Sequence, residues 1–266
     1  MDITQGLILG VVQGITEFLP ISSSGHLILA RETLGIQTEF GLAFDAVLHF
    51  ATALAVLVYF RRDLIRLIQT AFSWCRRVPV EPKDKVLLMA LALGTAPAVV
   101  LGILLESTME TAFRNPVLVA VTLLVGAGIM FFAERAAKQT GSLTAKKGLW
   151  IGFLQSLALV PGMSRAGMAI SGGLLFGLTR EEAARFAFLL ALPILLGAGG
   201  KKLLELGSAN AVGDMGLSLL GSAIAAFVVG IVSMHYLIKY LKNHTLNIFV
   251  WYRVALALLV LALIYT

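Results

Sequence analysis

Gln13-Gly-Ile-Thr-Glu17-Phe-Leu-Pro20-Ile-Ser22-Ser23-Ser24-Gly25-His26 sets a carboxylate, three hydroxyls and an imidazole between apolar flanks. The apolar run before it, residues 6–19, stops at Pro20 and is shorter than the roughly 20 residues a bilayer-crossing helix needs. A second short run, 25–34, follows. The pattern predicts a helix–loop–helix hairpin that enters the membrane and turns back. The same break recurs at Pro161-Gly162-Met163-Ser164-Arg165-Ala166-Gly167, between the short runs 149–160 and 167–178. Six longer apolar segments surround them: about 42–60, 86–105, 117–133, 186–204, 216–238 and 248–265. The expected fold is therefore an all-α integral membrane protein, with six transmembrane helices and two re-entrant helical hairpins, in one membrane domain over 1–266.

Composition points the same way. The chain is 58% hydrophobic and 14% charged, with a mean hydropathy of +0.90. A water-soluble domain carries about a quarter charged residues. Strand-like alternation is absent, which disfavours an outer-membrane barrel. The net charge of +6 does not signal nucleic acid, because the basic residues lie in short loops between apolar segments. Residues 61–85 hold Arg61, Arg62, Arg66, Arg76, Arg77, Lys83 and Lys85. Arg135, Lys138, Lys146, Lys147, Arg180, Arg185, Lys239 and Lys242 fall on the same side of the expected topology. The other side has Arg31, Arg114, Lys201 and Lys202, so the richer side is expected to face the cytoplasm. The lone cysteine, Cys75, excludes an intramolecular disulfide and reads as a spectator in the basic loop. No basic leader with a cleavage site is visible at the N-terminus.

The two halves resemble copies. Gly10-x-x-Gln13 and Pro20-x-x-Ser23 are echoed by Gly152-x-x-Gln155 and Pro161-x-x-Ser164, an offset of 142 falling to 141. Repeat one covers about 1–135 and repeat two about 145–266. Each holds one hairpin and three spans. An odd number of spans inverts the second copy, and inverted repeats meet near the membrane midplane, where broken helices build polar sites. Helix N-termini at the breaks would turn N–H groups toward an anion.

A charged group at a membrane helix centre costs about 2.5–3.5 kcal/mol on insertion scales, which makes each one a site candidate. Glu17, with Gln13 one turn earlier on the same face, reads as a metal ligand or proton-handling group rather than a mere cap. Ser22, Ser23 and Ser24 exceed what capping the next helix requires. A serine becomes a nucleophile when a base takes its proton, and His26 lies beside them; His26 could also attack phosphorus itself. Arg165 offers a planar fork suited to phosphate, and Ser164 with the Gly162 and Gly167 backbones suggests an oxyanion-binding loop. His49 reads as a satisfied core or rim histidine, Asp45 as a residue of the site mouth. Arg253 is expected to snorkel to the cytoplasmic face.

Gln13-x-x-x-Glu17, Pro20-x-Ser22-Ser23-Ser24-Gly25-His26 and Pro161-Gly162-x-Ser164-Arg165 resemble the undecaprenyl pyrophosphate phosphatases, the bacitracin-resistance proteins. The likeness extends over essentially the whole chain and includes Phe44-Asp45. It implies hydrolysis of undecaprenyl pyrophosphate to the monophosphate at the outer face of the bacterial inner membrane, which recycles the lipid carrier for wall synthesis. It also implies a divalent cation, magnesium or calcium, held by Glu17 and Gln13. Catalytic roles carry over to Glu17, Ser23, His26 and Arg165. Substrate contacts fall to Ser22, Ser24, Gly162, Ser164 and Gly167. The partners implied are the polyprenyl pyrophosphate and the bilayer, with a homodimer left open. Ala166 and Ala169 depart from the family, which usually has Ser and Thr there. The competing expectation is a transporter or flippase of a polyprenyl phosphate, because paired re-entrant hairpins are also transporter-like.

Overall fold

The chain forms helices wherever its apolar runs exceed a few turns, because no backbone group can be left unpaired in a lipid environment. The computed structural model describes residues 2–36, 41–105, 116–208 and 216–265, excepting the side chains of 41–43, 202–208 and 265. Arg114 and the side chain of Lys202 lie outside what is described. No strand occurs among the described residues. The first hairpin is α1 (Ile3–Thr16) and α2 (Ser23–Thr33); α3 (Gly41–Tyr59), α4 (Arg61–Cys75), α5 (Pro82–Leu104) and α6 (Pro116–Ala136) follow. The second hairpin is α7 (Ala145–Ser156), a 3-10 turn (Leu157–Leu159) and α8 (Arg165–Leu175). The chain ends with α9 (Arg180–Ser208), α10 (Gly216–Leu241) and α11 (Asn247–Tyr265).

Among the described residues, five helices are long and apolar enough to cross a membrane. They lie within α5, α6, α9, α10 and α11. A sixth is reached by taking α3 with α4, which meet at a 79° bend. The chain is thus a multi-pass helical membrane protein. One expectation is corrected here. The basic stretch 61–85 is not all loop, because Arg61–Cys75 is helical. Its apolar residues recur with helical period, Leu67 turning inward while Ile65, Ile68 and Phe72 face out. Cys75 closes this helix and is exposed.

The basic segments share one end of the bundle. Arg185 bonds Asp63 at 3.0 Å, and Lys242 pairs with Glu181 at 3.3 Å. Glu134 accepts from Arg180 and, at 3.1 Å, from the backbone N–H of Leu246. These contacts tie α4, α6, α9, α10 and the start of α11 together.

Small residues set the closest crossings. Gly6, Gly10 and Gly14 of α1 lie against Ser218, Ser222 and Ala226 of α10. Gly148 and Gly152 of α7 lie against Ala90 and Gly94 of α5. Glycine at i and i+4 lets membrane helices approach backbone to backbone. Gly152→Ala would drive its methyl into the Gly94 carbonyl. It is expected to destabilise by about 1–3 kcal/mol, as overpacking does. Gly128→Ala, with nothing within 4 Å of its added methyl, is expected to stay within about 0.5 kcal/mol of the parent. Paired thermal melts in detergent measure the difference; equal midpoints would refute the close crossing.

Candidate active site

Each hairpin breaks where its sequence forbids continued helix. Pro20 lacks a backbone donor, and Ser22 sits at φ 76°, in the left-handed region. In the second hairpin Gly162 stands at φ 96° and Ser164 at φ 66°. A serine at positive φ is uncommon and persists only where its surroundings hold it. Both serines are N-caps of the helix that follows. Ser22 Oγ accepts from Gly25 N at 3.5 Å, and Ser164 Oγ accepts from Gly167 N at 3.1 Å. The equivalent caps are thus Ser22 and Ser164, 142 residues apart. The sequence match that set Ser23 beside Ser164 slips by one. Pro20 and Ser22 are separated by Ile21 alone, whereas two residues, Gly162 and Met163, part Pro161 from Ser164. Ser23 and Arg165 become the paired positions, each the first residue of its helix.

Those two residues meet at Glu17. Ser23 Oγ donates to Glu17 Oε2 at 2.7 Å. Arg165 Nη1 donates to Glu17 Oε1 at 3.2 Å. Gln13 Nε2 donates to Oε2 at 3.0 Å, and His49 Nδ1 lies 3.2 Å from the same oxygen. The Glu17 side chain is 4% exposed and that of Arg165 is 25% exposed. A buried carboxylate is thus held by charge-assisted bonds, while the guanidinium keeps a face toward open space. Among the described residues Arg165 makes no other side-chain bond, so the rest of its fork remains for a ligand. Gln13 is fully buried, and its Oε1 has no partner.

The space beside these groups is a cavity of about 340 Å³. Thr16, Glu17, Ser22, Ser23, Ser24, Asp45, His49, Ser164 and Arg165 give it a polar side. Ala46, Ala158, Leu159, Pro161, Leu195, Ala198 and Gly199 give it an apolar one. At the offset of 142, Leu159 stands where the first hairpin has Glu17, and Ala158 where it has Thr16. The first tip therefore lines the cavity with an acid and hydroxyls, while the second adds Ala158, Leu159 and Pro161 beside Ser164 and Arg165, a mixed polar and apolar lining.

Of the residues singled out from sequence, Glu17, Ser22, Ser23, Ser24, Ser164 and Arg165 line this cavity. His26 does not. Its Nδ1 lies 2.7 Å from the Ser22 carbonyl and its Nε2 2.7 Å from the Tyr252 hydroxyl, with the two rings stacked. Gly162 and Gly167 are also off the cavity wall: Gly162 packs on Thr122 and Val119, and Gly167 supplies the N–H that Ser164 caps. Two residues gain weight. His49 belongs to the site itself; the signal was a histidine four residues after Asp45 within an apolar span. Arg253 does not snorkel. It is 0% exposed and donates to the carbonyls of Pro20, Thr122, Leu123, Gly162 and Met163. The signal was an arginine well inside an apolar helix, which needs a polar destination of its own.

A multi-pass helical membrane protein with a polar cavity lined by two helix-breaking tips is the class that this fold and site define. The chain belongs to the bacitracin resistance protein BacA family, whose model matches residues 6–259. It is 41% identical to the undecaprenyl-diphosphatase of Rubrobacter xylanophilus, over 99% of each chain. It is 42% identical to that of Geotalea daltonii over 99% of each. The undecaprenyl-diphosphatase of Trichlorobacter lovleyi shares 41% identity, over 99% of this chain and 98% of the relative.

Proposed function

We propose that the chain hydrolyses undecaprenyl pyrophosphate to undecaprenyl phosphate and inorganic phosphate, recycling the wall-synthesis lipid carrier and conferring bacitracin resistance. The observation that carries this reading is the meeting of Glu17, Ser23 and Arg165 at one cavity from tips about 140 residues apart. The family and the names of the relatives support the substrate.

Phosphoryl transfer needs positioning and charge neutralisation above all. The free face of Arg165 clamps the pyrophosphate bidentately, and the N-terminal turns of α2 and α8 add N–H groups and positive dipole. The apolar wall takes the first part of the prenyl chain. Ser23 Oγ attacks the terminal phosphorus while its proton passes along the existing bond to Glu17 Oε2. Undecaprenyl phosphate leaves, and water then cleaves the phosphoserine. His26 buttresses this arrangement by bridging the carbonyl of the strained Ser22 and the Tyr252 hydroxyl. Ser23→Ala, which removes the attacking oxygen, is expected to lower kcat by about 10³-fold or more, leaving only positioning and charge neutralisation. Ser24→Ala, whose hydroxyl reaches only Ser22 Oγ at 3.3 Å, is expected to stay within about tenfold of the parent. Steady-state phosphate release compares them, and equal losses would count against Ser23 as the attacking group.

The residues present suit a magnesium ion better than a fully caged cation. Among the described residues no group of three or more His, Cys, Asp or Glu side chains could hold a metal alone. One carboxylate, Glu17, lines the cavity, whereas Gln13 does not line it but keeps a buried Oε1 without a partner next to that carboxylate. Magnesium commonly binds through one or two carboxylates, waters and substrate phosphates. Bound there, it would neutralise charge on the phosphate oxygens.

The finer architecture belongs to the same proposal: six spans, two re-entrant hairpins, and repeats over about 1–135 and 145–266 in inverted order. The α1–α10 and α7–α5 crossings support it, because glycines 142 residues apart make both. The matched serine caps support it too. The basic end then faces the cytoplasm of a bacterial inner membrane, and the cavity opens outward. Such symmetry also suits a lipid transporter. Purified protein in detergent, given undecaprenyl pyrophosphate with and without chelator, decides between them. Chelator-sensitive phosphate release is expected; a transporter releases none.

A further inference from the structure

Among the described residues Arg253 is the largest side chain wholly withdrawn from solvent, and it is not part of the cavity. The other buried or half-buried arginines among the described residues meet carboxylates: Arg165 on Glu17, Arg180 on Glu134, Arg31 on Asp45 and Arg185 on Asp63. None of the acceptors of Arg253 is a carboxylate. Nε donates to Leu123 O at 3.2 Å, and Nη1 to Pro20 O and Met163 O at 3.4 and 3.3 Å. Nη2 donates to Gly162 O at 2.8 Å and Thr122 O at 3.4 Å. One planar group thus binds backbone from α6 and from both hairpin tips.

We propose that Arg253 is a positioning residue for the reaction: its guanidinium clamps the two tips together and sets Ser23 and Glu17 against Arg165. The inference rests on the phosphatase reading above. The bonded carbonyls stand immediately upstream of the working residues. Pro20 is three residues before Ser23, and Met163 is two before Arg165. Both tips are also backbone that helix formation has left unpaired, and such carbonyls need donors when buried. Arginine alone supplies five N–H donors in one fixed plane. A lysine would deliver a point charge that satisfies fewer carbonyls and fixes none of their relative directions. The room for the fork comes from Gly126, where an added methyl would fall on Arg253 Nη2. Thr122 reinforces the same junction by donating its hydroxyl to Pro161 O.

A clamp and a mere core contact differ in what they do to turnover. Misplacing reacting groups by about 1 Å can cost 10²-fold in rate. Arg253→Lys and Gly126→Ala are each expected to lower kcat by about 10²-fold while KM moves less than about threefold. The double variant is expected to be no worse than the worse single, because both remove one clamp. Dipolar EPR between labels at Leu19 and Val160, on a Cys75→Ser background, reads the tips directly. A narrow distance distribution is expected in the parent and a broad one in both variants. A kcat within twofold of the parent, losses that multiply in the double variant, or unchanged EPR widths would overturn the clamp. Should Arg253→Lys not fold, Gly126→Ala, which retains all five donors, carries the decision. Absence of phosphate release from the parent would count against the phosphatase reading, and the EPR widths would still decide the clamp.

Discussion

Arg165→Ala is expected to lower phosphate release by about 10³-fold or more while the protein stays folded. Arginines that clamp a transferring phosphoryl group are worth about 10³–10⁵ in kcat. The fold should tolerate the loss, because Glu17 retains Ser23 and Gln13 as donors and His49 beside it. The side chain of Arg165 is 25% exposed but that of Glu17 is only 4% exposed, so a stability loss of about 3 kcal/mol, the lower end for breaking a buried pair, is expected. Arg165→Lys separates charge from shape. It keeps a cation without the fork, and it is expected to recover only part of the activity. Turnover and melting temperature measured on the same preparations test the assignment. Near-normal activity in Arg165→Ala would remove Arg165 from the mechanism.

Glu17 is expected to behave differently, because it serves the fold as well as the site. Glu17→Gln keeps the size and removes the charge, leaving Ser23 without a charged acceptor and Arg165 without a counter-ion. A fall of about 10²–10³ in kcat is expected, the scale of losing one preorganised electrostatic contact. Where the carboxylate also holds magnesium, the variant needs more of the ion to reach half its maximal rate. Glu17→Ala goes further. It strands Gln13 and Arg165 together, and breaking a buried pair from one side costs about 3–5 kcal/mol. The lower end is expected, since Arg165 can turn toward solvent. Denaturation of both variants, with turnover against magnesium concentration, tests the two roles. A Glu17→Ala protein as stable as the parent would show that the carboxylate is not structural.

Most of the site was legible because its residues are polar in an apolar chain. Glu17, Ser22–Ser24 and Ser164–Arg165 stand out for that reason, and all line one cavity. His26 stood out equally and is turned to Tyr252, a partner 226 residues away that local reading cannot supply. His49 and Arg253 were visible as residues but not as contacts. Their places depend on which helices cross, and α3 and α11 come to the tips only once the bundle is packed. The helix in 61–85 was obscured by charge, since an amphipathic helix with so many arginines scores as loop until its apolar period is counted.

The sequence by itself determined the solvent and the apolar helices: long apolar runs must be helices in lipid, and Pro20, Pro161 and Gly162 must interrupt them. It also determined the chemical inventory, since buried polar residues are too costly to be incidental. Only the tertiary structure decided which of them meet. Glu17 finds Ser23 and Arg165 because two broken helices end face to face, with their tips joined through Arg253. That convergence is a sum of non-local crossings at glycine contacts, and no local stretch of chain carries it.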